Sequence, residues 1–124
     1  MTKYDEDFVP SAPVVGKVKV YDPLRTVYRE AKGKLDSGGD LSVIPETWIN
    51  EMKLIPAGEE SACGYDGKAE MKKKYFVHID FNGYSFFLDV ISSPRTTVLL
   101  GRDILNQLRL LLDGKNEKFK ISDC

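Results

Sequence analysis

The chain has few of the residues that build metal sites or disulfides. Its 124 residues include two cysteines, Cys63 and Cys124, and a single histidine, His78. The cysteines lack the spacing of metal ligands, and one histidine supplies too few partners for a zinc site. Free thiols are typical of a reducing compartment. We therefore expect a cytoplasmic protein that uses no metal and no other cofactor.

Long hydrophobic runs and a dominant charge are also missing. The apolar runs are only a few residues long, such as VLL at 98–100, and the acidic start MTKYDEDFVP is unlike a secretory signal. The 18 basic residues balance 19 acidic ones. Basic residues are spread out except at Lys72, Lys73 and Lys74, which we interpret as a solvated strand edge. The sequence thus indicates neither a membrane nor a nucleic acid as partner.

The chain is rich in short strand patterns. Its length fits one domain. Residues 1–13 carry three acids and two prolines, which predicts a flexible N-terminal arm and leaves 14–124 as the domain. Apolar and polar residues alternate in VVGKVKVYD and TVYREAKGKLD, and again between 60 and 100, with DG and NG turn sequences in between. These patterns predict a series of antiparallel hairpins.

Two segments have helical spacing instead. The apolar residues of PETWINEMK predict a short helix over 45–53, and those of RDILNQL predict another after Gly101. We interpret Trp48 as a core residue. A further turn at Asp113 and Gly114 leads into KFKI. Many strands with one or two short helices predict an all-β domain, either a small closed barrel or a sandwich.

An acid, a hydroxyl and two glycines follow one predicted buried strand, as Asp36, Ser37, Gly38 and Gly39 in KGKLDSGGDLSVIPE. Alone, Asp-Ser-Gly is what a β-turn prefers. Its flanks add to the signal, because Leu35 precedes it, the apolar LSVI follows, and VLLGRDIL lies downstream before a helix. With these paired motifs the chain resembles the retropepsin-like aspartic proteases, which include retroviral proteases and their cellular and bacterial relatives.

The resemblance covers about residues 14–121. It implies a small closed β-barrel of the acid protease fold and aspartic endopeptidase activity. Asp36 would be the catalytic residue, and Ser37, Gly38 and Gly39 would support the active-site loop. Two features depart from the usual pattern: Gly39 stands where alanine is more common, and KGK before Leu35 is more polar than in many relatives.

The resemblance also implies two structures around the loop. Asp40 and Arg102 would form a structural ion pair behind it, in which the planar guanidinium suits a carboxylate. A hairpin flap would close over an extended peptide substrate. The flap would be formed by Gly64, Tyr65, Asp66 and Gly67.

Peptide hydrolysis of this kind needs a base to deprotonate water and an acid to protonate the departing nitrogen. Two nearby carboxyls can share one proton and serve as both. The chain offers one Asp in the required context, so we expect a homodimer with Asp36 from each copy at the two-fold axis. We expect Asp103 to cap a helix rather than to act as a second catalytic acid.

Two other functions stay open at this level. The fold could serve as a catalytically silent dimerisation or peptide-binding module. Alternatively, the chain could be a structural β-domain of a larger assembly, in which an acid beside two glycines is incidental.

Overall fold

The computed structural model describes residues 1–63 and 69–123. Within them the chain forms ten strands and two short helices. The strands are β1 (Thr2–Lys3), β2 (Val14–Tyr21), β3 (Tyr28–Leu35), β4 (Val43–Pro45), β5 (Pro56–Cys63), β6 (Ala69–Phe81), β7 (Tyr84–Ser93), β8 (Val98–Leu100), β9 (Arg109–Asp113) and β10 (Lys118–Ser122). The helices are α1 (Thr47–Glu51) and α2 (Arg102–Leu105). Neither helix of the described chain has the length and apolar character needed to cross a bilayer.

Six strands close into a barrel. Their order is β2-β3-β8-β4-β7-β6, and β6 pairs again with β2, while β5 extends the sheet beyond β6. Apolar side chains with no solvent exposure form the core, among them Val18, Val20, Val77, Ile79 and Leu100. They recur at every second position of their strands, because successive residues of a strand face opposite sides of the sheet. The predicted all-β closed barrel with two short helices is confirmed.

The helices pack against this core. Trp48 of α1 is buried, as the sequence predicted, and so are Ile104 and Leu105 of α2. α1 is shorter than the 45–53 predicted, because Pro45 ends β4 and the chain leaves the helix at Met52. Both helices are brief connections between strands.

Most predicted hairpins are present. β2 pairs antiparallel with β3, and β6 with β7. The NG turn has φ of 50° at Asn82 and 84° at Gly83, the positive values that a tight type I′ hairpin turn requires. β5 and β6 pair as far as Cys63 opposite Ala69, and the predicted flap residues 64–67 lie outside the described residues.

The chain termini form a second, three-stranded sheet in the order β1-β10-β9. β1 pairs antiparallel with β10, and Asp5 forms an isolated bridge with the buried Ala12. Backbone hydrogen bonds therefore hold Thr2, Lys3 and Tyr4 against the C-terminal hairpin and Pro13 against β3. The flexibility of the N-terminal arm in solution stays a prediction.

Candidate active site

The two sequence motifs meet at the end of β3. β3 runs parallel to β8, with Leu35 opposite Leu100. The Asp36 N–H continues this ladder by donating to the Leu100 carbonyl oxygen at 2.9 Å. On the far side of the loop, the Arg102 N–H donates to the Gly39 carbonyl oxygen at 2.9 Å. The backbone of VLLGRD thus anchors both sides of the Asp-Ser-Gly-Gly loop.

Asp36 is half-buried, at a loop whose Ser37 and Gly38 are exposed. The Gly39 N–H donates to the Asp36 carbonyl oxygen at 3.1 Å, so the loop turns tightly. A Cβ at Gly39 would lie 2.8 Å from the Asp36 Oδ2, and one at Gly38 would lie 3.6 Å from Oδ1. The space that glycine leaves at position 39 is therefore taken by the carboxylate itself.

A polar link that the sequence analysis missed joins the end of this loop to α2. The Asp103 carboxylate accepts hydrogen bonds from the Ser42 N–H at 2.9 Å and from the Ser42 hydroxyl at 2.8 Å. The Ser42 hydroxyl oxygen accepts the Gly101 N–H at 3.1 Å. We expected Asp103 to cap a helix. The N-cap position of α2 is Gly101, and Asp103, in the first turn, accepts the Ile104 N–H at 2.9 Å in addition to its bonds from Ser42. The signal that could have revealed this link is the serine within the apolar LSVI. Ser42 is fully buried, and a buried hydroxyl needs a hydrogen-bond partner.

The Asp40 and Arg102 side chains form the ion pair that the resemblance implied. They do so at the surface of the single chain, where the Arg102 side chain is 50% exposed and that of Asp40 is 83% exposed. Exposed pairs of this kind contribute little to folding stability because water and salt screen them. The loop is held mainly by its backbone hydrogen bonds and by Ser42.

The structure explains the polar KGK segment before the motif. Gly33 is buried, and a Cβ there would lie 2.5 Å from the Val18 Cγ2, so the core excludes a larger residue. Lys32 and Lys34 alternate with it and lie on the opposite face of β3, the face that Asp36 continues. The lysines therefore face outward on the strand that leads to the candidate site, while the glycine packs inside the barrel.

The N-terminal segment lies along this lysine face. The Lys32 Nζ is 2.8 Å from Asp5 Oδ2 and 2.8 Å from Asp7 Oδ2. Hydrogen bonds to the two carboxylates raise the pKa of Lys32 to about 12, and the bond from Lys32 helps to lower the pKa of Asp5. Lys34 lies over the Phe8 ring, with Nζ 5.5 Å from the centroid. Residues 5–8 thus contact the strand that leads to Asp36.

A small pocket opens beside Lys34. Its volume is about 260 Å³, and it is lined by Phe8, Lys34, Arg95, Thr96, Thr97 and Leu99. Both charged residues in this lining are cationic, so the pocket favours an acidic group. Elsewhere in the described chain, no three acidic, histidine or cysteine side chains lie close enough together to hold a metal ion.

Known proteins resemble this chain in fold. No family model and no curated protein matches it. EIAV protease complexed with the inhibitor HBY-793 has a TM-score of 0.56 at 22% identity, over 77% of this chain and 86% of that one. The simian foamy virus (mac) protease has a TM-score of 0.52 at 17% identity, over 73% of this chain and 91% of that one. The chain has the retropepsin-like protease fold.

A longer viral protein contains the same fold. The foamy viral protease-reverse transcriptase in complex with an RNA/DNA hybrid has a TM-score of 0.56 at 21% identity. The match covers 74% of this chain and 12% of that one, so this chain spans only a small part of the viral protein. Within the retropepsin-like fold of this chain, the loop from Asp36 to Ser42 is the candidate active site.

Proposed function

We propose that this chain is an aspartic endopeptidase whose catalytic dyad is formed by Asp36 from each of two copies. The observation that carries the proposal is the position of Asp36. This half-buried residue lies on a loop anchored by Leu100 and Arg102, within a retropepsin-like fold. An exposed loop tip leaves this carboxyl accessible to both a second copy and a substrate.

The chemistry follows from two carboxyls a few ångströms apart. Like charges at that distance raise the pKa of one group, so the pair holds one shared proton. The ionised carboxyl takes a proton from water, and the water oxygen attacks the peptide carbonyl carbon while the protonated carboxyl donates to the carbonyl oxygen. The resulting gem-diol then collapses. Its C–N bond breaks, a proton passes to the nitrogen, and a carboxyl and an amine product leave.

The neighbours of Asp36 have supporting roles in this proposal. The exposed Ser37 hydroxyl would hydrogen-bond to the facing loop across the two-fold axis, and Gly38 would let the substrate backbone approach closely. Gly39 leaves the space in which the Asp36 carboxylate sits. Residues 64–67 would form the flap over an extended peptide. A cytosolic setting is part of the proposal, because we interpret the chain's two cysteines as free thiols, which are typical of a reducing compartment.

Cleavage of a diverse peptide pool over about pH 4 to 7 tests the proposal, and we expect activity toward the acidic end, where a carboxyl dyad keeps its shared proton. Wild type and Asp36→Asn are compared at several protein concentrations, with the oligomeric state recorded at each. We expect cuts with wild type alone and a specific activity that falls on dilution, because each site needs two chains. Equal cleavage by the Asn variant would overturn the dyad mechanism, and a wild-type dimer that cuts nothing would indicate a silent peptide-binding module.

A further inference from the structure

An apolar cavity opens on the outer face of the barrel. Its volume is about 600 Å³, and it lies between the β2–β3 turn, the loop from α1 to β5, and the outward side of β6 and β7. Small-molecule sites in proteins have volumes of about 300–1,000 Å³. The apolar side chains that line the cavity include Leu24, Met52, Leu54, Ile55, Phe76 and Phe87. The size and the lining of the cavity thus suit an apolar ligand.

Several of these side chains form an exposed apolar surface. Leu24 is 83% exposed, Ile55 is 82% exposed and Phe87 is 57% exposed. The Phe76 and Phe87 rings stack with their centroids 5.3 Å apart, so this wall of the cavity is formed without a ligand. Single exposed apolar residues are ordinary, but neighbouring ones around a concave site mark a binding surface. A ligand in the cavity would remove these side chains from water.

The cavity is separate from the candidate active site. It includes Leu24, in the turn before β3, whereas Asp36 follows the last residue of β3. β3 has eight residues, Tyr28–Leu35, so at about 3.3 Å per residue the two sites lie about 25 Å apart along this strand. A small ligand in the cavity would therefore not contact the Asp36 loop.

Backbone groups at the edge of the cavity offer a ligand few hydrogen bonds. The N–H groups of Met52, Lys53 and Leu54 donate to carbonyl oxygens of α1 at 2.9 to 3.2 Å. Pro23 lacks an N–H, and its carbonyl oxygen lies 3.0 Å from the His78 Nε2. A ligand amide or hydroxyl buried here would lose its bonds to water without gaining others. The cavity thus favours a hydrocarbon body over a peptide or a sugar.

Charge at the rim favours a ligand with an anionic end. The lining has two charged residues, Asp22 and Lys53. Asp22 is 9% exposed, and its carboxylate accepts hydrogen bonds from the N–H and hydroxyl of Thr26 and from the Val27 N–H. Lys53 is exposed, and no carboxylate of the described residues forms an ion pair with it. Lys53 is therefore available to a ligand carboxylate.

We propose that this cavity binds a medium-chain carboxylate, with its hydrocarbon chain against Ile55, Phe76 and Phe87 and its carboxylate at Lys53. The chain of such a ligand buries apolar area and has no polar groups to desolvate. Its single charge complements the single exposed charge of the lining. The proposal goes beyond the proposed function and does not depend on Asp36.

Isothermal titration calorimetry with decanoate, below its micelle concentration, tests the site. We expect one saturable site per chain and a negative heat-capacity change, which is the marker of apolar burial. Octanoate should bind about tenfold more weakly, because it has two fewer methylene groups to bury. Decyltrimethylammonium has a chain of the same length and the opposite charge, so it should also bind more weakly than decanoate.

Two pairs of variants locate the bound decanoate. Lys53→Met should weaken binding by about threefold or more, whereas Lys34→Met, in the other cationic pocket, should leave it unchanged. Ile55→Ser should weaken binding by about fivefold or more, because it removes apolar contact area. Its matched control is Val9→Ser, since Val9 is a 94% exposed β-branched residue outside the cavity. Circular dichroism checks the fold of each variant.

Other occupants of this surface would overturn the proposal. Weaker binding by Lys34→Met and unchanged binding by Lys53→Met would assign decanoate to the pocket beside Lys34. An absence of saturable decanoate binding would also overturn it, and binding to vesicles of phosphatidylcholine and phosphatidylglycerol would then assign the surface to a membrane. A wild-type dimer that Ile55→Ser dissociates, measured by sedimentation equilibrium, would assign the surface to a contact between copies.

The Asp36→Asn variant separates this inference from the proposed function. It should bind decanoate with wild-type affinity, because Asp36 lies outside the cavity. Decanoate binding without peptide cleavage would support the cavity and overturn the proposed activity. Peptide cleavage without decanoate binding would overturn the cavity proposal and leave the activity standing.

Discussion

Asp103 holds Ser42 by two hydrogen bonds, one to its backbone N–H and one to its hydroxyl, at 2.9 and 2.8 Å. Ser42 ends the segment that begins at Asp36, and Asp103 lies in the first turn of α2. Since Ser42 is fully buried, water cannot replace the carboxylate as acceptor. This contact fixes the candidate active-site loop to the helix that follows VLLG.

Removal of the Asp103 carboxylate should therefore destabilise the domain. Asp103→Ala leaves the Ser42 N–H and hydroxyl without this acceptor, which we expect to cost about 1–3 kcal/mol of unfolding free energy. Asp103→Asn retains one carbonyl oxygen and should lose less. Urea denaturation of both variants measures the difference. An alanine variant as stable as wild type would show that the link does not hold the loop.

Alanine should have different effects at two glycines. At Gly39 the new Cβ would lie 2.8 Å from the Asp36 Oδ2, a side-chain atom that can move. Gly39→Ala should thus fold normally and alter the pH profile of cleavage by displacing the carboxylate. At Gly101 the Cβ would lie 2.7 Å from the backbone C and O of Leu41, which cannot move alone. Gly101→Ala should therefore lower the melting temperature, and the reverse ranking of stabilities would contradict this explanation.

Loss of the Arg102 side chain should have little effect on folding. Its ion pair with Asp40 is exposed, so Arg102→Ala should cost less than about 1 kcal/mol and the cost should shrink in high salt. Arg25→Ala is the comparison, because Arg25 donates two hydrogen bonds to Asp80 and one to Ser85. We expect Arg25→Ala to lose more unfolding free energy than Arg102→Ala. A greater destabilisation by Arg102→Ala than by Arg25→Ala would show that Arg102 makes stabilising contacts that are absent from the single chain.

The stability difference between wild type and Arg25→Ala should also depend on pH. Burial raises the pKa of Asp80, but hydrogen bonds from Arg25 and Ser85 outweigh it, so the pKa lies below its ordinary 3.8. The stabilisation from a lowered carboxyl pKa is present above that ordinary value and is lost as pH falls through the folded value. The stability difference between wild type and Arg25→Ala should therefore narrow in strong acid. Urea melts at neutral pH and below 3.8 measure it, and a constant difference would contradict the linkage.

Lys34 should favour acidic side chains in the substrate. It lies on the same face of β3 as Asp36 and lines a pocket of about 260 Å³ together with Arg95. Lys34→Met should reduce kcat/KM for a peptide with an acidic residue near the cut by about tenfold relative to its neutral analogue. Paired synthetic peptides measure the ratio. An unchanged ratio would show that the pocket does not bind the substrate.

The fold and the position of the loop could be predicted from local patterns. Alternation in strands, the NG turn and the paired motifs each depend on neighbouring residues, and these features appear where they were predicted. The Asp103 contact could not be predicted, because it joins residues far apart in sequence and depends on burial of Ser42. The exposure of the Asp40 and Arg102 pair likewise depends on how the loop lies against α2. The sequence KGK looked unusually polar for the strand before the motif, but only its middle residue, Gly33, faces the core.

If two chains share one catalytic site, mixing wild type with Asp36→Asn should lower activity more than dilution alone. The two are combined in equal amounts under exchange conditions, at a fixed total concentration at which both are dimeric. If each site needs Asp36 from both copies, random pairing leaves activity at roughly a quarter of that of wild type alone. Activity at roughly half would show that each chain works independently, and would contradict the shared dyad.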